Sequence, residues 1–146
     1  AVAQGPLNEV LSRTNLPVDL GEDTVVVIEA TVSERDDRWH MIKARFDGGE
    51  LWIADDGHDV GDRVRLRIAA RDVSLALNRA FHTSILNRLA ARVAEIEQED
   101  SAMAVVRLEL GNTALLARIS GRSAFELELK PGKEVWAQVK SVAVIH

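Results

Sequence analysis

Residues 61–77 read Gly-Asp-Arg-Val-Arg-Leu-Arg-Ile-Ala-Ala-Arg-Asp-Val-Ser-Leu-Ala-Leu. Val64, Leu66 and Ile68 alternate with Arg63, Arg65 and Arg67, the period of a strand that buries one face and solvates the other. The stretch predicts one long strand over residues 63–77, entered from a glycine turn. Its pattern returns later in the chain. Gly61, Val64 and Val73 stand opposite Gly132, Val135 and Val144 at one constant offset, and residues 135–145 predict the matching strand. A strand repeated together with the glycine before it points to a duplicated β unit.

Working outward, the remaining segments fit the same scheme. Residues 24–32, Thr-Val-Val-Val-Ile-Glu-Ala-Thr-Val, are rich in β-branched side chains, and residues 39–46 alternate in part. Asp36-Asp37 and Asp47-Gly48-Gly49 supply turns, residues 50–54 a third strand, and residues 55–62 an acidic loop. The second half repeats the order: a strand at 91–96, a turn at 97–100, strands at 102–110 and 113–119 around Gly111-Asn112, then 135–145. Ile53-Ala54 is matched to Ile119-Ser120 after a difference in loop length. Only the second copy carries Ser123-Ala124-Phe125-Glu126, a capping-box pattern that predicts one turn of helix. Near the start, Leu7, Val10 and Leu11 follow Pro6 at helical spacing and predict a short amphipathic helix that ends at Leu16-Pro17. Short strands, glycine turns and almost no helix favour closed β architectures over an α/β sheet. The expected fold is all-β: two tandem OB-like barrel modules with a short N-terminal helix. The expected units are 1–22 for helix and linker, 23–78 for the first module and 79–146 for the second.

Composition narrows the chemistry. At 146 residues and 47% hydrophobic content the chain is an ordinary globular sequence. It has no cysteine, so thiolate metal sites and disulfides are excluded. No apolar run approaches the roughly 20 residues of a membrane-spanning helix, and the first residues show no export signal. A net charge of -5 argues against broad binding to a phosphate backbone, which needs a basic face. It does not argue against one anion held by a few converging donors. The histidines at 40, 58, 82 and 146 show no metal-ligand spacing, and Asp55-Asp56-Gly57-His58-Asp59 lacks the oxygen spacing of a calcium loop. Trp39, Trp52 and Trp136 are expected on strands, filling a core or an interface. No Gly-x-x-x-x-Gly-Lys-Ser/Thr phosphate loop and no Ser, His and acid set stands out.

One motif carries a resemblance. Thr83-Ser84-Ile85-Leu86-Asn87-Arg88-Leu89-Ala90-Ala91-Arg92-Val93 resembles the opening of the Mop (TOBE) type molybdate-binding domains, where a Ser and an Asn three residues later precede the first strand. Residues 131–145, with Lys140-Ser141, resemble the last strand of the same family. Residues 63–77 look like the segment joining two such halves in the ATP-binding subunit of molybdate ABC transporters, and residues 5–11 look like the tail of that subunit's nucleotide-binding domain. The resemblance implies a regulatory module, without catalysis of its own, that binds molybdate or tungstate at a contact between modules. It implies the ligand set Thr83, Ser84, Asn87, Lys140 and Ser141, with Ser120 reaching in from a neighbouring module. Leu86 departs from the family, which often has an Arg there. Implied partners are a second copy in a homodimer, an ATPase domain and a membrane permease, on the cytoplasmic face of the membrane, with no nucleic acid.

The chemistry is consistent with those residue types. A tetrahedral dianion taken out of water needs many donors and some positive charge in exchange for its hydration. Lys140 supplies charge; hydroxyls and backbone N–H groups supply direction. A site made only of donors disfavours phosphate, which keeps a proton near neutral pH, whereas sulfate is rejected only by size. The positions matched to Ser120, Lys140 and Ser141 in the first half are Ala54, Ala69 and Ala70, so the second module is expected to supply the main ligands. Taken alone, Lys140-Ser141 is more commonly a solvated strand edge, and Thr83-Ser84 more commonly a helix cap. Two rival readings remain: an OB-type nucleic-acid binder, against which the low aromatic content and acidic charge count, and a dimerisation module without a ligand.

Overall fold

The computed structural model describes residues 17–20, 23–79 and 82–145. The expected N-terminal helix lies outside these residues. The linker predicted before residue 23 includes a strand, β1 (Pro17–Leu20), and ten more follow: β2 (Asp23–Asp36), β3 (Met41–Phe46), β4 (Gly49–Ala54), β5 (Arg63–Ala69), β6 (Val73–Ala76), β7 (Asn87–Gln98), β8 (Met103–Leu110), β9 (Thr113–Ser120), β10 (Glu134–Val139) and β11 (Ala143–Ile145). Among the described residues one α-helix, α1 (Gly121–Glu126), follows β9. Trp39 falls in the turn before β3 and is 65% exposed, a correction to its expected place on a strand.

The fold is all-β, in two sheets ordered β11-β5-β2-β3-β4, with β1 added to β2, and β6-β10-β7-β8-β9. Each half makes a meander whose first strand, β2 or β7, also pairs with the fourth, β5 or β10. The duplication is visible atom by atom. The Val32 N–H donates to the Asp62 carbonyl and the Gly61 N–H to the Val32 carbonyl. In the second half Val93 and Lys133, then Gly132 and Val93, make the same two bonds. Beside each valine the ladder carries a bulge, between Val32 and Glu34 and between Val93 and Glu95. The extra residue sharpens the twist and lets a short strand pair curl toward closure.

These bonds also set the correspondence of the middle strands. Phe46 pairs with Gly49, and Leu110 with Thr113, across equivalent two-residue turns. Lys43 and Trp52 therefore occupy the rung that Arg107 and Leu116 occupy in the second half. Ile53 matches Ala117 and Ala54 matches Arg118, so the expected match of Ile53-Ala54 to Ile119-Ser120 is two residues out of register. Similarity of Ile-small pairs suggested that match, but ladder hydrogen bonds decide it.

The predicted long strands over 63–77 and 135–145 are both broken, and the breaks link the modules. Residues 70–72 form one turn of 3-10 helix, after which β6 leaves the first sheet and pairs with β10 in the second. Residues 140–142 interrupt the later stretch, after which β11 crosses back and pairs with β5. Each half thus lends its last strand to the other. The two crossovers touch, because the Lys140 N–H donates to the Asp72 carbonyl at 2.8 Å. The cause is a phase change in the apolar pattern: Val64, Leu66, Ile68 and Ala70 are buried at even positions, then Val73 is buried at an odd one. A strand with period 2 cannot bury both sets on one face without a break.

The core is one continuous apolar cluster that includes Ile28, Ile42 and Leu66 from the first half and Val93, Leu108 and Val135 from the second. The halves also meet turn to turn. The Thr113 hydroxyl donates to the Asp47 carbonyl, and Gly48, at φ +115°, lies so close that an added Cβ would stand 1.9 Å from the Leu110 carbonyl oxygen. Only glycine meets both demands at that position.

Candidate functional site

At the crossover lies a pocket of about 720 Å³. One wall belongs to the first half: Met41 at the start of β3 and Trp52, Ile53 and Ala54 on β4. The other is residues 83–87, which lead into β7, and residues 139–142, which carry the chain from β10 to β11. Thr83, Ser84, Asn87, Lys140 and Ser141 therefore share one pocket, although the two segments are far apart in the sequence. They are neighbours because β7 and β10 are antiparallel, with Asn87 paired to Val139. That register puts the start of one strand beside the end of the other.

Within the pocket, Ser84, Lys140 and Ser141 are exposed. The Thr83 hydroxyl oxygen accepts from the Ile85 N–H at 3.2 Å, which shapes the turn and leaves the hydroxyl proton to donate elsewhere. Lys140 is the one charged side chain among the lining residues. Asn87 is committed: its Oδ1 accepts from the Trp52 N–H at 2.8 Å, and its Nδ2 donates to the Trp52 carbonyl at 2.9 Å. Only one orientation of the amide satisfies both partners, which fixes its oxygen and nitrogen. The remaining lining is apolar, with Ile85, Leu86 and Val142 facing the pocket and Leu86 54% exposed.

Ser120 lies outside this pocket. It is the N-cap of α1, with its Oγ accepting from the Ser123 N–H at 3.0 Å. The predicted capping box at Ser123 is thus displaced by three residues, because Ser120 ends β9 in the extended conformation an N-cap requires, whereas Ser123 is already helical. Glu126 instead pairs with Arg122 one turn earlier.

Sequence reasoning missed the wall formed by Met41 and Trp52. The signal was present in β4: Leu51 and Ile53 are buried, so Trp52 between them faces outward. Its ring carries Lys43 at 5.1 Å on the same sheet face, and Lys43 is paired with Glu34 at 2.7 Å. The hydrogen bond to Glu34 holds the Lys43 ammonium above its ordinary pKa.

Residues 83–146 match the TOBE domain. The chain is 50% identical to the molybdenum import ATP-binding protein ModC of Methylococcus capsulatus and 47% identical to that of Thiobacillus denitrificans, in each case over 99% of its own length. It spans about two fifths of the length of these relatives. Among solved structures it is similar to the cytoplasmic molybdate-binding protein ModG in its molybdate-bound form, with a TM-score of 0.68 and 25% identity, covering 82% of this chain and 92% of that one. The chain is therefore similar along nearly its whole length to part of the molybdenum import ATP-binding proteins, and its residues 83–146 match the TOBE domain.

Proposed function

We propose that this chain is the oxyanion-binding regulatory module of a molybdate importer's ATP-binding subunit, taking molybdate or tungstate and performing no catalysis itself. The observation that carries the reading is the convergence of Thr83, Ser84, Lys140 and Ser141 on one pocket at the junction of the two halves. These are the residue types a dianion requires: three hydroxyls that donate along defined directions and one ammonium. They form the proposed ligand set, with Asn87 in the wall behind them. Ser120, whose hydroxyl caps α1, is left out of it. The similarity to ModG, solved with molybdate bound, supports the same ligand class.

The wider assignments follow from the relatives. ATP hydrolysis belongs to the part of their length that this chain does not reach, and the working partners are that ATPase domain, a membrane permease and a second copy of the subunit. No helix among the described residues is long and apolar enough to cross a membrane, and the module is assigned to the cytoplasmic face, beside the permease. Regulation requires the anion to bind one arrangement of the subunits more tightly than another.

Calorimetric titration of the chain with molybdate tests the reading, with sulfate and phosphate as controls. Saturable molybdate heat at concentrations where neither control gives any, with sulfate binding only far more weakly, is the expected result. No heat and no thermal stabilisation at millimolar molybdate overturns it and favours a dimerisation module.

A further inference from the structure

Among the described residues, antiparallel β4 is an edge strand paired only with β3. Such a strand leaves alternate residues with both N–H and C=O pointing away from the sheet, open to solvent or to another chain. Trp52 is one of these residues, and the side chain of Asn87 fills its place: one carboxamide supplies the acceptor and the donor that a neighbouring strand would supply. The rung joins the first strand of the second half to the last meander strand of the first, and both residues line the pocket. The amide has one further donor proton and one further lone pair, but its in-plane grip on the Trp52 peptide fixes where they point.

We propose that Asn87 is the positioning residue of the pocket: by tying the β4 backbone at Trp52 to β7, it sets the gap between the two walls and so the size of tetrahedral dianion the pocket accepts. This rests on the oxyanion reading above. Sulfate and molybdate carry the same charge and the same four acceptors, so only the spacing of the donors against the opposite wall separates them. A side chain that holds the walls together therefore governs selectivity without contributing the charge that binds. The Asn87 amide acts here through Trp52, whereas Lys140 and the three hydroxyls act on the anion directly.

The test combines amide exchange at Trp52, read by two-dimensional NMR of the ligand-free chain, with calorimetric affinities for molybdate and sulfate. In Asn87→Ala, the Trp52 amide is expected to lose about tenfold in protection, the worth of one ordinary hydrogen bond. The molybdate-to-sulfate affinity ratio is expected to fall by about the same factor. Asn87→Asp supplies a second reading that does not depend on how well the alanine variant packs. Its carboxylate keeps the acceptor for the Trp52 N–H but offers no donor to the Trp52 carbonyl, so Trp52 protection is expected to fall less than in Asn87→Ala while the affinity ratio still falls. Unchanged protection in both variants overturns the rung. Lost protection with an unchanged affinity ratio reduces Asn87 to a packing role and overturns the proposal. Binding by the wild type that Asn87→Ala abolishes for both anions, with Trp52 protection intact, makes Asn87 a direct ligand and overturns it too. If the wild type binds neither anion, the functional reading fails first and the selectivity claim with it.

Discussion

Lys140 and Arg107 show how differently a cation behaves at two depths. Lys140 is exposed at the pocket mouth and is the only charge among its lining residues. A charge-assisted hydrogen bond contributes roughly 1.5–3 kcal/mol, so Lys140→Ala is expected to weaken molybdate about tenfold to a hundredfold in calorimetry. Because the side chain is exposed, the melting curve of the free protein is expected to stay put. Arg107 is only 7% exposed, on the rung that Lys43 holds in the first half, and pairs with Glu95 at 3.0 Å. Among the described residues its Nε and Nη1 have no acceptor. Glu95 keeps contact with water, so removing the guanidinium does not strand a buried charge. Arg107→Leu is therefore expected to raise the urea midpoint, by about 1 kcal/mol of stability; a large loss would mean that the two free donors hold something. Residue types alone did not announce the pocket, since Lys140-Ser141 reads more commonly as a strand edge and Thr83-Ser84 as a helix cap, and only the family resemblance of their segments joined them. Nor could residue types announce that the amide of Asn87 is spent on the Trp52 backbone, because that partner is 35 positions away and offers no side-chain signal.

Turns and breaks carry the next set of consequences. In the turn between β7 and β8, the Asp100 carboxylate accepts from the backbone N–H groups of Ala102 and Met103, both at 2.8 Å. These bonds, that to Ala102 first, hold its pKa below the ordinary carboxylate value. A depressed carboxylate stabilises the fold above its unfolded pKa, and that contribution is lost as pH falls through the folded one. Thermal midpoints are therefore expected to decline on the acid side of the ordinary carboxylate range, and Asp100→Ala is expected to start lower and decline less over the same window. Lys43 has the opposite sign: its raised pKa adds stability below the ordinary lysine value that fades as pH climbs through the folded one. At this scale the alternation of residues 63–68 and the repeated glycine made the strands and the duplication legible. The breaks at 70–72 and 140–142 were legible too, as a shift in apolar positions from even to odd at the first and from odd to even at the second, but only to a reader who tracks phase as well as period. The destination of each strand beyond its break was not, since pairing partners are chosen by tertiary packing.

As a whole, the molecule is two similar sheets that cannot be pulled apart along the chain. β6 belongs by sequence to the first half and by pairing to the second, β11 the reverse, and one apolar cluster runs through both. Two independent barrels would melt in two steps. Here a single calorimetric transition is expected, with its calorimetric and van't Hoff enthalpies equal; two resolved transitions would show that the exchanged strands contribute little. The sequence supported two tandem units and their order, but not their interlocking, because each exchanged strand is as apolar as one that stayed at home. Exchange also imposes a timetable on synthesis. β5 leaves the ribosome nearly 80 residues ahead of β11, its neighbour on that side among the described residues. At the roughly 5–20 residues per second of translation, the first sheet waits several seconds with an open flank, and its opening half is completed only after the whole second half has been made.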